Sequence, residues 1–449
     1  MSGRLEHIRE QVWRLATPQR LCLFLAVYLL TNIVMFVYME STPGVIDRLG
    51  RVRGRDFSTF YITGQIVRDG EGDRLYDQDH FFERQKELSS ITEETIKNRP
   101  RNYSLYPPTV PIIFSWLARL EYGNALMLWW LGLVLSFTLA GWWLIREIDP
   151  APGWRTTAIL TIAAFTPINY TFLNGQLSAL LLLIFLAALQ LHLRNYHFLA
   201  GCILSLLALK PQFAVGPFLW MLLRMDFRTL SGYCLGGFFQ AAWSAAALGP
   251  KILVDYFQNM WTFGHILKSS HPTPDHGHSL GEVLTIVLGN DYVNFCNGVH
   301  LAAVAVGAFW FFRTLYPKRQ GRQDLSFGVH SVRRMRNDES RSNWRIEQSA
   351  LVIFSLLLSP HLLTYDLSML LIPIAYLLSG KMQVSAEEER WLGGLLYLSA
   401  MITFIYFLIG FSLVPVVMLW TLFKVSQFAK RLTRRDHPSL DKEVVLQSA

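Results

Sequence analysis

The sequence predicts an all-α polytopic membrane protein, with about twelve transmembrane helices and a large first extracytoplasmic loop. Three observations carry this. Of 449 residues, 52% are hydrophobic and only 16% charged, against about 25% charged in ordinary soluble domains. Apolar runs at 121–145, 174–193 and 391–423 are long enough to cross, or nearly cross, a hydrocarbon core of ~30 Å. The Lys and Arg residues concentrate in alternate loops. This composition excludes a disordered chain, a nucleic-acid arm and a typical cytosolic enzyme.

In order, the expected crossings are 21–38, 121–145, 156–172, 177–193, 198–210, 212–224, 229–249, 292–312, 349–363, 366–380, 391–409 and 411–424. The first follows a basic, Trp-containing head and has no small-residue cleavage site after it, so it is expected to stay as a span. Two pairs, 198–210/212–224 and 349–363/366–380, are broken by Pro211 and Pro360. A single straight helix through each pair is the competing arrangement, and charge decides between them. With both termini inside, 26 of the 41 Lys and Arg residues fall on the cytoplasmic side, as the positive-inside rule requires. One helix through 198–224 would invert every later loop and put the basic 313–348 segment outside. The net charge of +8 follows from this bias without a nucleic-acid partner.

The expected organisation is one integral membrane domain over 1–449, multi-pass in the cell (inner) membrane. It has a first extracytoplasmic loop at 39–120, a second at 250–291, a basic cytoplasmic loop at 313–348 and a cytoplasmic tail at 425–449. The first loop should hold an amphipathic helix from Phe57 to Val67, a second helix from Asp79 to Leu88, and a short apolar segment at 109–120 that is interfacial or re-entrant. The Arg333-Arg334-Met335-Arg336 run is suited to anionic lipid. Cys22, Cys202, Cys234 and Cys296 all lie in apolar runs and are expected to be packing residues.

Several polar residues stand where apolar ones would be expected. Asp56 precedes the first-loop helix. It is either an N-cap or a carboxylate held at the outer face to meet a headgroup. Asp77-x-Asp79, within the cluster Asp69, Asp73, Asp77 and Asp79, could bind a divalent cation, but turn chemistry around Gly70 and Gly72 explains most of these acids. Lys210 interrupts an apolar stretch beside Pro211. An ionisable residue inside a membrane segment is a functional candidate, and its insertion cost of ~2.5–3.5 kcal/mol would be offset by a bound phosphate. The competing role is a Lys that snorkels to the interface. Asn174-Gly175-Gln176 forms a sharp turn, which explains Asn174 and Gly175 but not Gln176 at the start of an apolar helix. At the other broken pair, His361 and Asp366 either face a substrate or satisfy each other and freed backbone groups. His265, His271, His276 and His278 have irregular spacing, so no metal site is expected there. The chain has no phosphate-binding P-loop, serine-hydrolase elbow or zincin motif.

Taken in order, Asp56-Phe57 with Tyr61, Gly70 to Leu75-Tyr76-Asp77, Tyr106-Pro107-Pro108, Asn174-Gly175-Gln176, Gly201 with Lys210-Pro211, and Ser359-Pro360 before Asp366 form a pattern. It resembles glycosyltransferase family 87 of the GT-C superfamily, which includes polyprenol-phosphate-mannose-dependent α-1,2-mannosyltransferases. The resemblance runs from about residue 20 to 380. His278-Ser279-Leu280 stands where Asn or Gln before Ser-Leu is expected, and the 313–348 segment is long for the pattern. The resemblance implies a GT-C-like fold. It also implies transfer of a sugar, mannose or another hexose, from a polyprenyl-phosphate donor to a lipid or glycan acceptor on the outer face. Asp56 would be the general base. From their own positions Lys210, Gln176, Asn174, Tyr106, His361 and Asp366 are the candidates to bind donor phosphate or substrate; no cofactor and no dedicated metal site is expected, with a divalent cation left as an open alternative. A secondary transporter or a flippase of lipid-linked sugars is the alternative. The transporter is disfavoured by the absence of visible repeats and by the size of the first outer loop, and a flippase differs in that it should survive loss of Asp56.

Overall fold

The computed structural model describes residues 17–89, 104–269, 277–315, 338–405 and 412–436. Among these the chain is helical, with two isolated β-bridges, Ile46 with Val52 and Gly277 with Leu363, and no strand. Helix α1 (Pro18–Glu40) starts at Thr17, whose side chain accepts from the Arg20 backbone N–H, with Pro18 in the first turn, where its missing N–H is harmless. Leu23, Phe24, Val27, Leu30 and Val34 of α1 are exposed, the surface of a helix whose solvent is lipid rather than water. Among the described residues, four segments are long and apolar enough to cross a membrane: Pro18–Glu40, Tyr122–Ile148, Pro152–Asn174 and Asn290–Leu315.

The segment expected to form the first outer loop folds, among its described residues, into α2 (Phe57–Arg68), α3 (Gln78–Ser89) and α4 (Thr109–Leu117). The first two match the expected helices to within one residue at each end. Residues 109–117 are a short helix packed on α2, with Val110, Ile112 and Phe114 buried and Trp116 exposed. An aromatic cluster fills the space between them. Phe60 lies 4.7 Å from the Tyr106 ring and 4.8 Å from Phe114, and Phe114 meets Trp129 at 4.9 Å.

Next come α5 (Tyr122–Ile148), α6 (Arg155–Ala163), α7 (Thr166–Asn174), α8 (Ser178–Leu193), α9 (His197–Ser205, extended by a 3-10 turn to Leu209), α10 (Gln212–Arg224) and α11 (Phe227–Leu248). The break between α9 and α10 falls at Lys210, whose φ of −135° and ψ of 89° leave the helix, because Pro211 disfavours helical geometry in the residue before it. The two halves fold back on one another. His197 at the start and Asp226 past the end lie 3.7 Å apart, Nδ1 to Oδ2. One straight helix over those residues would separate them by ~44 Å. The second broken pair behaves alike. Helix α15 (Asp338–Leu357) is followed by a non-helical turn and a 3-10 segment, Thr364–Leu370, that leads into α16 (Leu371–Ser379). Arg345 Nη1 donates to the Lys381 carbonyl at 3.2 Å, so this pair too returns to its starting level.

The remaining elements are α12 (Lys251–Ser269), α13 (Leu280–Leu288), α14 (Val293–Leu315), α17 (Ala386–Met401) and α18 (Val414–Asp436). Two expected boundaries change. Helix α15 begins inside the segment expected to be loop 313–348, and Trp344, Arg345 and Glu347 are buried. Helix α18 runs through the first half of the expected tail. Its Val425, Phe428 and Leu432 are buried in the core, and Glu388 binds Lys424 and Arg431 on it. The basic 333–336 run, His271 and His276 lie outside the described residues. All four cysteines are free; Cys296 is buried, Cys22, 3.1 Å from the Thr157 hydroxyl, and Cys202 are half-buried, and Cys234 is exposed rather than packed in the protein interior.

The most extensive helix contact is between α9 and α11. It depends on Gly201 and Gly232, where an added Cβ would meet the Thr229 and Phe198 carbonyl oxygens, respectively, inside van der Waals contact. Small residues let membrane helices approach backbone to backbone. Gly201→Ala should therefore cost about 1–3 kcal/mol or more through overpacking, read as a lowered thermal midpoint in detergent. Gly237→Ala, with nothing near its Cβ position, should leave that midpoint unchanged.

Candidate active site

Four separate elements meet at Gln176. Its Nε2 donates to Asp56 Oδ2 at 2.8 Å and lies 3.0 Å from the Tyr106 hydroxyl and 3.1 Å from the Tyr365 hydroxyl. An amide nitrogen has two hydrogens, so these three oxygens share two donors. Gln176 Oε1 accepts from the Leu177 N–H at 3.2 Å, which fixes which end of the amide faces the cluster. Gln176 is buried and Asp56 half-buried.

Each partner is placed by its own local geometry. Asp56 occupies the N-cap position of α2, but its side chain makes no capping bond. The carboxylate points at Gln176 instead, so the N-cap role does not explain it. Gly54 (φ 63°) and Arg55 (φ 33°) turn the chain left-handed just before it. Tyr106 is held through its backbone, whose carbonyl accepts from the Tyr76 hydroxyl at 2.9 Å. Leu75 is buried. Asp77 Oδ1 accepts from the N–H groups of Asp79 and His80 at 3.1 Å each, and Asp77 also pairs with Arg74. Asp77 is thus engaged in a cap and an ion pair. Asp69 likewise meets Arg68 and Arg84.

Gln176 reaches Asp56 because of Gly175. That residue has φ 61°, the left-handed cap of α7 that glycine adopts without strain. A Cβ there would stand 2.7 Å from Phe57 Cβ and 3.1 Å from the Gly54 carbonyl. The Trp129 indole N–H donates to the Gly175 carbonyl at 2.7 Å and Trp130 to that of Phe172 at 2.9 Å, clamping the turn onto α5. Asn174 is buried, but its amide donates to the Tyr170 carbonyl at 2.7 Å within its own helix.

The cation sits one layer further in. Lys210 Nζ forms a short ion pair with Asp366 Oδ1, and both side chains are buried. It also lies 4.6 Å from the centre of the Tyr365 ring. The expectation that a donor phosphate is what offsets the Lys210 charge is therefore corrected: Asp366 does so without one. Asp366 Oδ1 also accepts from Ser178 at 3.4 Å and Oδ2 from the Leu363 N–H at 3.3 Å. His361 and Asp366 do not satisfy each other. The half-exposed His361 imidazole forms a short bond with Glu282, which closes a capping box with Ser279 at the start of α13. His278 is fully buried between two hydroxyls, Ser412 at 2.8 Å and Thr364 at 2.9 Å, a core histidine. Tyr365 and Glu282 were not singled out as site residues from the sequence.

Burial pushes the Asp56 carboxyl above the usual carboxylate range. Hydrogen bonds from Gln176 and Tyr365 and the charges of Lys210 and Arg55 oppose the rise without cancelling it. Burial also raises the Tyr106 phenol, reinforced by the Asp56 charge, so Tyr106 stays protonated. A carboxylate short of solvent, ringed by donors and backed by one ammonium, is the environment of a general base.

The sequence model of glycosyltransferase family 87 matches residues 105–332, just over half of the chain. The chain belongs to glycosyltransferase family 87. The match contains Tyr106, Asn174, Gln176 and Lys210, whereas Asp56, His361 and Asp366 lie outside it. No curated protein and no solved structure matched the chain. Family membership and the lipid-facing helices make this a membrane glycosyltransferase.

The Gly175 contact can be tested on its own. Gly175→Ala should push the turn off Phe57 and part Gln176 from Asp56. Transferase activity should fall by at least about tenfold, a 1.4 kcal/mol change, measured as sugar incorporation. Gly123→Ala, on open space, should leave it intact.

Proposed function

We propose that this family 87 enzyme transfers a hexose, mannose being the first to test, from a polyprenyl-phosphate donor to a hydroxyl of a lipid or glycan acceptor. The reaction takes place at the outer face of the cell membrane. The observation that carries this is the continuous polar chain from Asp56 through Gln176 and Tyr365 to Lys210 and Asp366, where the turns of four separate elements meet. In the twelve-crossing arrangement these turns are extracytoplasmic. The end that holds Glu147, Asp226, Arg345 and Lys381 is then cytoplasmic.

Asp56 takes the acceptor proton as the hydroxyl oxygen attacks the anomeric carbon. The bond from that carbon to the phosphate oxygen breaks, and polyprenyl phosphate leaves with the bonding electrons. Gln176 and Tyr365 orient the carboxylate. Lys210 has three N–H donors and one is engaged with Asp366. The others meet the phosphate charge that grows as the leaving group departs. His361, held by Glu282, lines the approach, and the lipid-exposed flanks of the bundle accept the polyprenyl chain.

Asp56→Asn should reduce turnover by on the order of 10²-fold or more with donor binding retained. Wild-type rate should rise with pH through the Asp56 ionisation, at a pH above the usual range of a carboxylate near 4. The folded protein holds this proton more tightly than the unfolded chain does, so ionising Asp56 costs stability as pH rises. Asp56→Asn should therefore melt no lower than wild type at neutral pH. Near-normal turnover in Asp56→Asn would refute the assignment.

Lys210→Met alone leaves Asp366 buried without its partner, a change of about 3–5 kcal/mol, and should lower thermal stability. Adding Asp366→Asn should restore most of that stability but not function. The double variant should bind free polyprenyl phosphate and the sugar-charged donor at least tenfold more weakly, measured by competition. Unchanged affinity for both would remove Lys210 from the phosphate site.

A further inference from the structure

A second group of polar side chains lies at the other end of α8. Ser178 at the start of that helix touches Asp366, and His192 is fourteen residues on, ~21 Å along the helix axis. There His192 from α8, His197 from α9 and Asp226 from the α10–α11 turn each offer one ligand atom, all within 4.8 Å of one another. His192 Nε2 is 2.9 Å from Asp226 Oδ2, and His197 Nδ1 is 3.7 Å from the same oxygen. The second distance is too long for a hydrogen bond. His197 Nδ1 is buried and has no hydrogen-bond partner among the described residues.

We propose that His192, His197 and Asp226 form a binding site for a single zinc ion, distinct from the transferase centre and used to tie the ends of α8, α9 and α10 together. Two imidazoles and one carboxylate are a donor set that zinc takes readily, with water in the fourth position. Bonds of 2.0–2.2 Å in a tetrahedral arrangement place ligand atoms ~3.3–3.5 Å apart. The His192–Asp226 separation must open by about half an ångström to reach that, the His197–Asp226 one must close slightly, and the His192–His197 one, within 4.8 Å, must close by at most about 1.5 Å, movements within the reach of side-chain rotation. His192 is set for this role, because its ring stacks on Trp344 at 5.0 Å and 14°. Asp226 is oriented by Thr229, whose backbone N–H donates to Oδ1 at 3.2 Å and whose hydroxyl donates to Oδ2 at 2.7 Å. Such outer partners fix ligand geometry in metal sites. The nearby Arg224 is held by Glu347 and so is directed elsewhere. The His197 and Asp226 side chains keep 23% and 18% of their surface exposed, which leaves a route for the ion.

The test uses the full chain in detergent with no histidine tag, stripped with a chelator and then given zinc chloride. Elemental analysis after desalting should find one zinc per chain. Competition with a chromophoric chelator should give an affinity at least 100-fold weaker in His197→Ala. His197 is partly exposed, so its loss should leave the zinc-free melting temperature near wild type, whereas zinc should raise that temperature in wild type and not in the variant. Cobalt(II) in its place should show the visible bands of a four-coordinate nitrogen and oxygen site. No zinc uptake by wild type at micromolar concentration, or uptake by His197→Ala with unchanged affinity, would overturn the proposal. The cluster would then be a hydrogen-bonded helix cap alone.

Discussion

The ion pair between Lys210 and Asp366 is the constraint around which this molecule is arranged. Each residue sits at the break of a different folded-back helix pair, and each would be untenable alone in an apolar interior. Together they pin the two breaks to one level of the bundle. Ser178 and the Leu363 backbone use the remaining acceptor capacity of Asp366, and the Tyr365 ring takes the flank of the ammonium. That stacking leaves the Tyr365 hydroxyl beside Gln176. The position of the Asp56 carboxylate is thus linked, through two side chains, to a charge pair that holds the helices.

The outer-loop helices serve the same end by a different route. They form no catalytic surface of their own. Aromatic packing of Phe60, Phe114 and Trp129 and the Tyr76 bond to Tyr106 fix where the chain can lie. From this segment Asp56 then presents its carboxylate to the interior cluster. A rigid aromatic support of this kind resists the pull that a buried carboxylate exerts toward water.

Most of the cluster was legible because polar residues in apolar runs are conspicuous. Gln176 and Lys210 stand out as residues with little local reason to be there, Asp56 and Asp366 compete with local roles as an N-cap and as a partner for freed groups, and the charge bias favours the two helices seen over 198–224. Tyr365 was not legible, since a tyrosine at a helix break reads as packing and only its hydroxyl's neighbours give it a role. Gly175 was read as a turn former, which it is. That its missing Cβ also admits Phe57 is a long-range contact that no local pattern records. His192, His197 and Asp226 belong to three elements and lack regular spacing, so their meeting depends on the fold-back itself. Segments 338–348 and 425–436 read as loop and tail because their charges outweigh their apolar residues, yet Trp344, Ile346, Val425, Phe428 and Leu432 face the core.

The Lys210–Asp366 pair also bears on how the protein is made. Its members are 156 residues apart in the chain. At ~5–20 residues per second, the ribosome delivers the lysine roughly 8–30 s before the aspartate that neutralises it. During that interval the hairpin carrying Lys210 enters the membrane with an unpaired charge at its tip. It must therefore wait near the headgroups, or beside the insertion machinery, until the second hairpin arrives. Assembly of the bundle is then ordered by translation, and the transferase centre is among the last parts to form.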